Sequence, residues 1–192
     1  MSEVKNILLC GVGGQGTILA SKVLSSALVQ AGYDVKMSEI HGMSQRGGSV
    51  TTQVRYGEKV YSPIIGKGSA DILVAFEGME ALRYLGELNP KGHVVVNNFK
   101  LQTATTATGD QQYPEDAIER VSALADTRVL DASKIAEELG NPKAMNIVLL
   151  GALIKLMKLE NLDWDGALKS CMKPAFVEMN KKALEAGMKA VS

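Results

Sequence analysis

The chain has 192 residues, 46% hydrophobic and 5% aromatic, with 21 Lys plus Arg against 21 Asp plus Glu and a formal net charge of +0. That length suits one domain, and such a chain buries roughly 70% of its unfolded surface, which excludes general disorder. The balanced charge lacks the basic excess of a protein that wraps nucleic acid. Two cysteines, Cys10 and Cys171, cannot supply a disulfide scaffold, a zinc ribbon or the four thiolates of an iron–sulfur cluster.

The chain reads from the N-terminus as follows. Met1-Ser2-Glu3-Val4-Lys5 lacks the layout of a signal peptide. Asn6–Cys10 is a short apolar run followed at once by glycines, the profile of a buried parallel strand. From Thr17, apolar residues recur at helical spacing (Ile18, Leu19, Val23, Leu24, Ala27, Leu28), and Gly32 marks the stop. Asp34–Ser38 is a second strand, completing a βαβ opening. Glu39–Gly48 has no periodicity and is predicted to be a loop. Ser49–Arg55 alternates, and Tyr56-Gly57-Glu58 would turn it back into Lys59-Val60-Tyr61 as a hairpin.

Asp71–Phe76 and His93–Asn97 are further buried strands, separated by a short helix from Glu80 to Leu85 and a turn at Asn89-Pro90-Lys91-Gly92. Gln102–Gln112 is a polar loop or edge strand. Pro114 opens a helix through Ala125, Thr127–Leu130 is a strand, and Asp131 is placed to cap a helix through Leu139. Beyond Asn141-Pro142 the chain is helical over 142–190. Ala144–Leu159 is strongly apolar, Asp163 caps a short helix through Cys171, and Pro174 starts a last one that Gly187 would end. The apolar run Ile147–Ile154 stops at Lys155, short of the ~20 residues of a membrane span. The expectation is one domain, 1–192, of α/β class. It is a three-layer α/β/α with a mixed, mostly parallel sheet and a helical C-terminal segment, soluble and cytoplasmic, with no membrane or nucleic-acid partner.

Two loops carry the chemistry. Gly11-Val12-Gly13-Gly14-Gln15-Gly16 fits G-x-G-x-x-G between a strand and a helix. Gly11 permits the turn, Gly13 admits a close neighbour, and Gly16 lets the helix pack on the strand. Helix-start N–H groups there favour a phosphate or carboxylate. Glu39 lies about 20 residues on, where an NAD ribose ligand would sit. The glycines equally suit a tight strand–helix junction, or a loop that faces a partner protein.

The second loop is Glu39-Ile40-His41-Gly42-Met43-Ser44-Gln45-Arg46-Gly47-Gly48-Ser49. Arg46 beside Gly47 and Gly48 has the donor fork for a carboxylate or phosphate. His41 could relay a proton, and Gln45 can hydrogen-bond a bound group. Singly, each residue suits an ordinary surface loop; gathered at a strand end, they point to a site or an interface. No G-x-S-x-G elbow and no H-E-x-x-H helix is present, so no catalytic set is complete in this chain.

These two loops together resemble the gamma-type subunits of 2-oxoacid:ferredoxin oxidoreductases. Ser62-Pro63, Ala70–Glu77, Glu80–Arg83, Asn146–Ala152, Phe176–Asn180 and Gly187 also match, so the similarity spans nearly the whole chain. Its stand-alone length is most similar to the small subunit of the indolepyruvate type. The resemblance implies an α/β/α domain packed against a large catalytic subunit and inactive alone. It implies an enzyme that oxidatively decarboxylates a 2-oxoacid, with coenzyme A taking the acyl group and ferredoxin the electrons. Thiamine diphosphate, Mg2+ and Fe–S clusters would sit in the partner subunit and no cofactor in this chain. It makes Gly11, Gly13, Gly14, Gln15, Gly16, Glu39, His41, Gln45, Arg46, Gly47 and Gly48 candidate cofactor-binding, cavity or interface residues. The alternative is a free-standing α/β protein that binds NAD(P) or coenzyme A at the glycine loop.

Overall fold

The computed structural model describes residues 4–41, 47–101 and 112–191. Six strands, β1 (Lys5–Val12), β2 (Asp34–His41), β3 (Ser49–Gly57), β4 (Ala70–Ala75), β5 (Leu88–Asn97) and β6 (Asp126–Leu130), form one sheet in the order β2-β3-β1-β4-β5-β6. The ladders β1–β4, β4–β5 and β5–β6 are parallel, and β3 is antiparallel to both β1 and β2. Only β3 therefore opposes the common direction, which makes the sheet mixed and mostly parallel, as expected from the sequence.

Helices cover both faces. Alternation along β1 sends Ile7 and Leu9 to one core and Leu8 and Cys10 to the other, all nearly inaccessible. The first core is closed by α1 (Thr17–Gln30), α4 (Ala132–Glu138), α5 (Met145–Leu156), α6 (Trp164–Cys171) and α7 (Pro174–Lys189). The second lies under α2 (Gly78–Tyr84) and α3 (Ala117–Leu124). Burial on both sides is why β1 and β4 read as continuous apolar runs. Among the described residues, no helix is long and apolar enough to cross a membrane.

Several expectations change. The hairpin is β2–β3, not Ser49–Tyr61. Glu39, Ile40 and His41, expected in a loop, continue β2 and pair with Thr52, Thr51 and Val50. The segment after β3 joins no ladder, and Val60 N–H instead donates to Asp34 Oδ2 at 2.9 Å. β2 runs parallel to β1, but β3 stands between them.

Asn89–Gly92 belongs to β5 rather than a turn. The register jumps from Ala70↔Leu88 to Ile72↔His93, and this bulge accommodates Pro90, which has no N–H for a ladder. The helix expected from Pro114 begins at Ala117. Asp131 precedes α4 but does not cap it; its Oδ1 accepts from Asn98 Nδ2 at 2.9 Å. Asp163 does cap α6, accepting from Gly166 N–H at 2.9 Å. Gly187 lies inside α7 rather than ending it. Most of the polar segment Gln102–Gln112 lies outside the described residues.

Candidate functional site

The glycine turn closes on itself before it offers anything to a ligand. Gln15 folds back: its Oε1 accepts from Val12 N–H at 2.7 Å and its Nε2 donates to the Phe76 carbonyl at 3.2 Å. A Cβ on Gly11 would stand 2.7 Å from Gln15 Oε1 and 2.9 Å from Phe76 Cβ, so only glycine fits beneath this brace. Gly11 and Gln15 are thus structural parts of the turn. Gly16 has φ +86°, the left-handed region that favours glycine, and serves as N-cap of α1 with no side-chain acceptor. Asn146 Nδ2, at the start of α5, donates to the Gly16 carbonyl at 3.1 Å.

The group that approaches Gly13 is the chain's own second loop. Gly13 N–H donates to the Gly48 carbonyl at 2.8 Å, and Gly47 N–H donates to the Gly13 carbonyl at 3.3 Å. These two bonds join the loops identified separately in the sequence. Beside the junction opens a cleft of about 370 Å³, lined by Gly13, Gly14, Gly16, Thr17 and Ile18 on one side and by Glu39, Ile40 and His41 on another. Val50, Thr51 and Thr52 of β3 complete it. Ile18 and Ile40, 44% and 49% exposed, add an apolar rim. The structure therefore brings together Gly13, Gly14, Gly16, Glu39 and His41, with Gly47 and Gly48 against the turn. Gln45 and Arg46 lie outside the described residues.

A second polar group sits behind this junction. Glu77 and Glu80, at the start of α2, are both wholly buried. Glu77 Oε1 accepts from Glu80 N–H at 2.5 Å, and Glu77 Oε2 accepts from Tyr113 Oη at 2.8 Å. Burial pushes the Glu77 carboxyl above its ordinary range, against the lowering effect of those hydrogen bonds. Glu80 accepts from Ser49 Oγ and, at 3.0 Å, from Arg83 Nε. Burial and the two neighbouring carboxyls hold the Cys10 thiol well above its usual range, so it stays protonated. Motif reading did not single out this cluster as a site. Its signal is two glutamates three apart just after a buried strand, where one caps the helix that carries the other.

The dinucleotide arrangement does not form. In that arrangement the acidic strand lies next to the glycine-loop strand. Here β3 separates them, which puts β2 about 9.6 Å from β1 by ordinary strand spacing. Gly13, the glycine that would admit a pyrophosphate, is occupied by Gly47 and Gly48. Among the described residues, no three of His, Cys, Asp and Glu gather where they could hold a metal ion.

The profile of the pyruvate ferredoxin/flavodoxin oxidoreductase family matches residues 6–190, and the chain belongs to that family. Within it, the chain is 36% identical to the indolepyruvate oxidoreductase subunit IorB of Pyrococcus horikoshii, over 96% of this chain and 95% of that protein. It is 39% identical to the IorB subunit of Archaeoglobus fulgidus, over 95% of this chain and 92% of that one. The fold also matches the gamma subunit of a keto/oxoacid ferredoxin oxidoreductase from Geobacter sulfurreducens, with TM-score 0.72, 24% identity and coverage of 97% and 98% of the two chains. It matches a 2-oxoglutarate:ferredoxin oxidoreductase from Magnetococcus marinus, solved with 2-oxoglutarate, coenzyme A and succinyl-CoA, at TM-score 0.75 and 20% identity. That match covers all of this chain and 31% of the other.

Proposed function

We propose that this chain is the small subunit of an indolepyruvate-type 2-oxoacid:ferredoxin oxidoreductase. The observation that carries the reading is the match, over nearly the full length of both chains, to IorB subunits at 36–39% identity. In this reading the large partner subunit holds thiamine diphosphate, Mg2+ and the Fe–S clusters and carries out the decarboxylation of an aryl pyruvate. Coenzyme A takes the acyl group and ferredoxin the electrons. The thiols here suit no cluster: Cys10 is buried and protonated, and Cys171 lies on α6.

This chain's contribution is the cleft wall. The glycine turn and the ends of β2 and β3 share one edge of the sheet, the carboxyl edge of the parallel strands, where α/β folds place their ligands. The exposed Ile18 and Ile40 give this edge an apolar contact for the large subunit. Glu39 and His41 then face the shared cavity, and the uncapped N–H groups of α1 offer it a partial positive charge. Helix-start N–H groups at this edge would favour the anionic part of a cofactor or substrate.

The test is copurification and reconstitution. A tagged chain expressed with its large subunit is expected to bring down a brown, thiamine-containing complex. The complex, but not the small chain alone, should reduce ferredoxin with indolepyruvate and coenzyme A. A chain that elutes alone, with no thiamine enzyme, overturns the proposal. Arg46→Ala then separates two roles: a cavity residue loses turnover with the complex intact, whereas a contact residue loses the complex.

A further inference from the structure

We infer that Glu80 and Ser49 are a positioning pair for the glycine-turn cleft: a buried carboxyl on α2 grips the first residue of β3 and so holds Gly47 and Gly48 against Gly13. The inference rests on the reading of the cleft as a partner-facing cavity, and it assigns a role to residues that do not line it.

Alternation along β3 shows how the grip works. Val54 and Tyr56 belong to the core under α1, so Val50 and Thr52 share their face. Ser49 hangs from the opposite face, toward α2. There Glu80 accepts its hydroxyl, and Tyr84 Oη lies 3.1 Å from the same oxygen. Ser49 is also the register partner of Val12, the last residue of β1 before the glycine turn. The next two residues upstream, Gly48 and Gly47, make the two bonds to Gly13. One side chain behind the sheet therefore fixes where the hairpin loop meets the turn in front of it.

A carboxyl is an expensive way to fill this space. Glu80 is wholly buried beside Cys10, whose Sγ lies 3.5 Å from the Glu80 carbonyl, and an apolar side chain would serve packing alone. What the carboxyl adds is direction: one oxygen turns to Ser49 and the other to Arg83. Glu77, three residues away, caps α2 by accepting from Glu80 N–H with one oxygen and holds Tyr113, on a different segment, with the other. The Glu77–Tyr113 pair makes no link to Gly13 and supplies a control within the same helix.

The experiment uses the full chain, alone and in complex with its large subunit. Amide hydrogen exchange reads the junction directly. Ser49→Ala is expected to speed exchange at Gly13 and Gly47 about tenfold. Ser49→Thr, which keeps the hydroxyl, should restore most of the protection, and Tyr113→Phe should leave both amides unmoved. In the complex, Ser49→Ala and Glu80→Gln should raise KM for coenzyme A or the 2-oxoacid about fivefold with kcat nearly unchanged. Unchanged exchange in Ser49→Ala, or the same change in Tyr113→Phe, overturns the inference. An active complex whose KM values ignore Ser49→Ala overturns it while sparing the proposed function. Failure of the wild-type complex to oxidise any 2-oxoacid sinks the proposed function, and the exchange pattern still decides the positioning role.

Discussion

Asn146 reaches across 130 positions of sequence to donate its Nδ2 to the Gly16 carbonyl at 3.1 Å. A Cβ on Gly16 would stand 2.5 Å from that nitrogen, so the side chain fits only because the turn ends in glycine. The other end of the amide, Asn146 Oδ1, is buried and has no partner among the described residues. This contact ties the glycine turn to the helical C-terminal segment.

The pair should behave as a coupled unit. Gly16→Ala carries about 1–2 kcal/mol of left-handed strain plus the collision with Asn146. Asn146→Ala loses one hydrogen bond, about 1 kcal/mol. In the double variant the collision is gone. Urea denaturation should therefore show a total loss smaller than the sum by about 0.5 kcal/mol or more. Strict additivity would mean that the two residues do not meet in solution.

The crossing of α5 and α7 sets a second expectation. A Cβ on Gly187 would collide with the Val148 carbonyl and lie 3.1 Å from Gly151 Cα, and one on Gly151 would collide with the Leu184 carbonyl. The obstacle is backbone on both sides, which cannot turn away as a side chain can. Gly187→Ala or Gly151→Ala should cost about 3 kcal/mol, lowering Tm by about 6–12 °C for a chain of this size. Gly14→Ala meets nothing within 4 Å, and its cost should come from its φ of +107° alone. A thermal melt of the three variants settles the ranking.

Glu77 gives a pH signature. Burial raises its folded carboxyl above the ordinary 4.5, so the folded chain binds the proton more tightly than the unfolded one. That stabilisation is full below the unfolded value and is lost as pH rises through the folded value. Unfolding free energy of wild type minus that of Glu77→Gln should therefore fall from about pH 4.5 upward and level off once Glu77 is ionised. Both proteins share the carboxyls Asp34, Asp126, Glu160 and Asp165, whose lowered values act at more acid pH with the opposite sign and cancel in the difference. A flat difference would show that Glu77 does not carry the shift.

The apolar rim separates assembly from folding. Ile18→Asp and Ile40→Asp replace exposed side chains, so chain stability should change by no more than about 0.5 kcal/mol. At position 18 an acid even suits the first turn of α1. Capture of the large subunit should nevertheless weaken by about tenfold or more, since a charge would be buried at the contact. Undiminished capture with both variants would place the partner on another face.

Much of this was already legible in the linear pattern. Continuous apolar runs located β1 and β4 because both faces of those strands are buried, and the change of period at Thr17 located α1. The glycine turn, the residue cluster after Glu39 and the family resemblance were readable because each is a local string of residue types.

Pairing was not readable, because it is decided between segments. Nothing local says that β3 inserts between β1 and β2, and that insertion turned an apparent dinucleotide motif into a clamp between Gly13 and Gly47–Gly48. Gly187 looked like a helix stop and is instead a close-packing point, a distinction that exists only where Gly151 lies opposite. Local residue pattern located β1, β4, α1 and the family, since those depend on near neighbours and on the order of residue types; it misplaced 39–41, 59–61 and 89–92, whose state is set by pairing. Tertiary structure alone decided that Ser49, Glu80 and Asn146 brace the cleft, because each acts through a partner that the fold brings from 31 to 130 residues away.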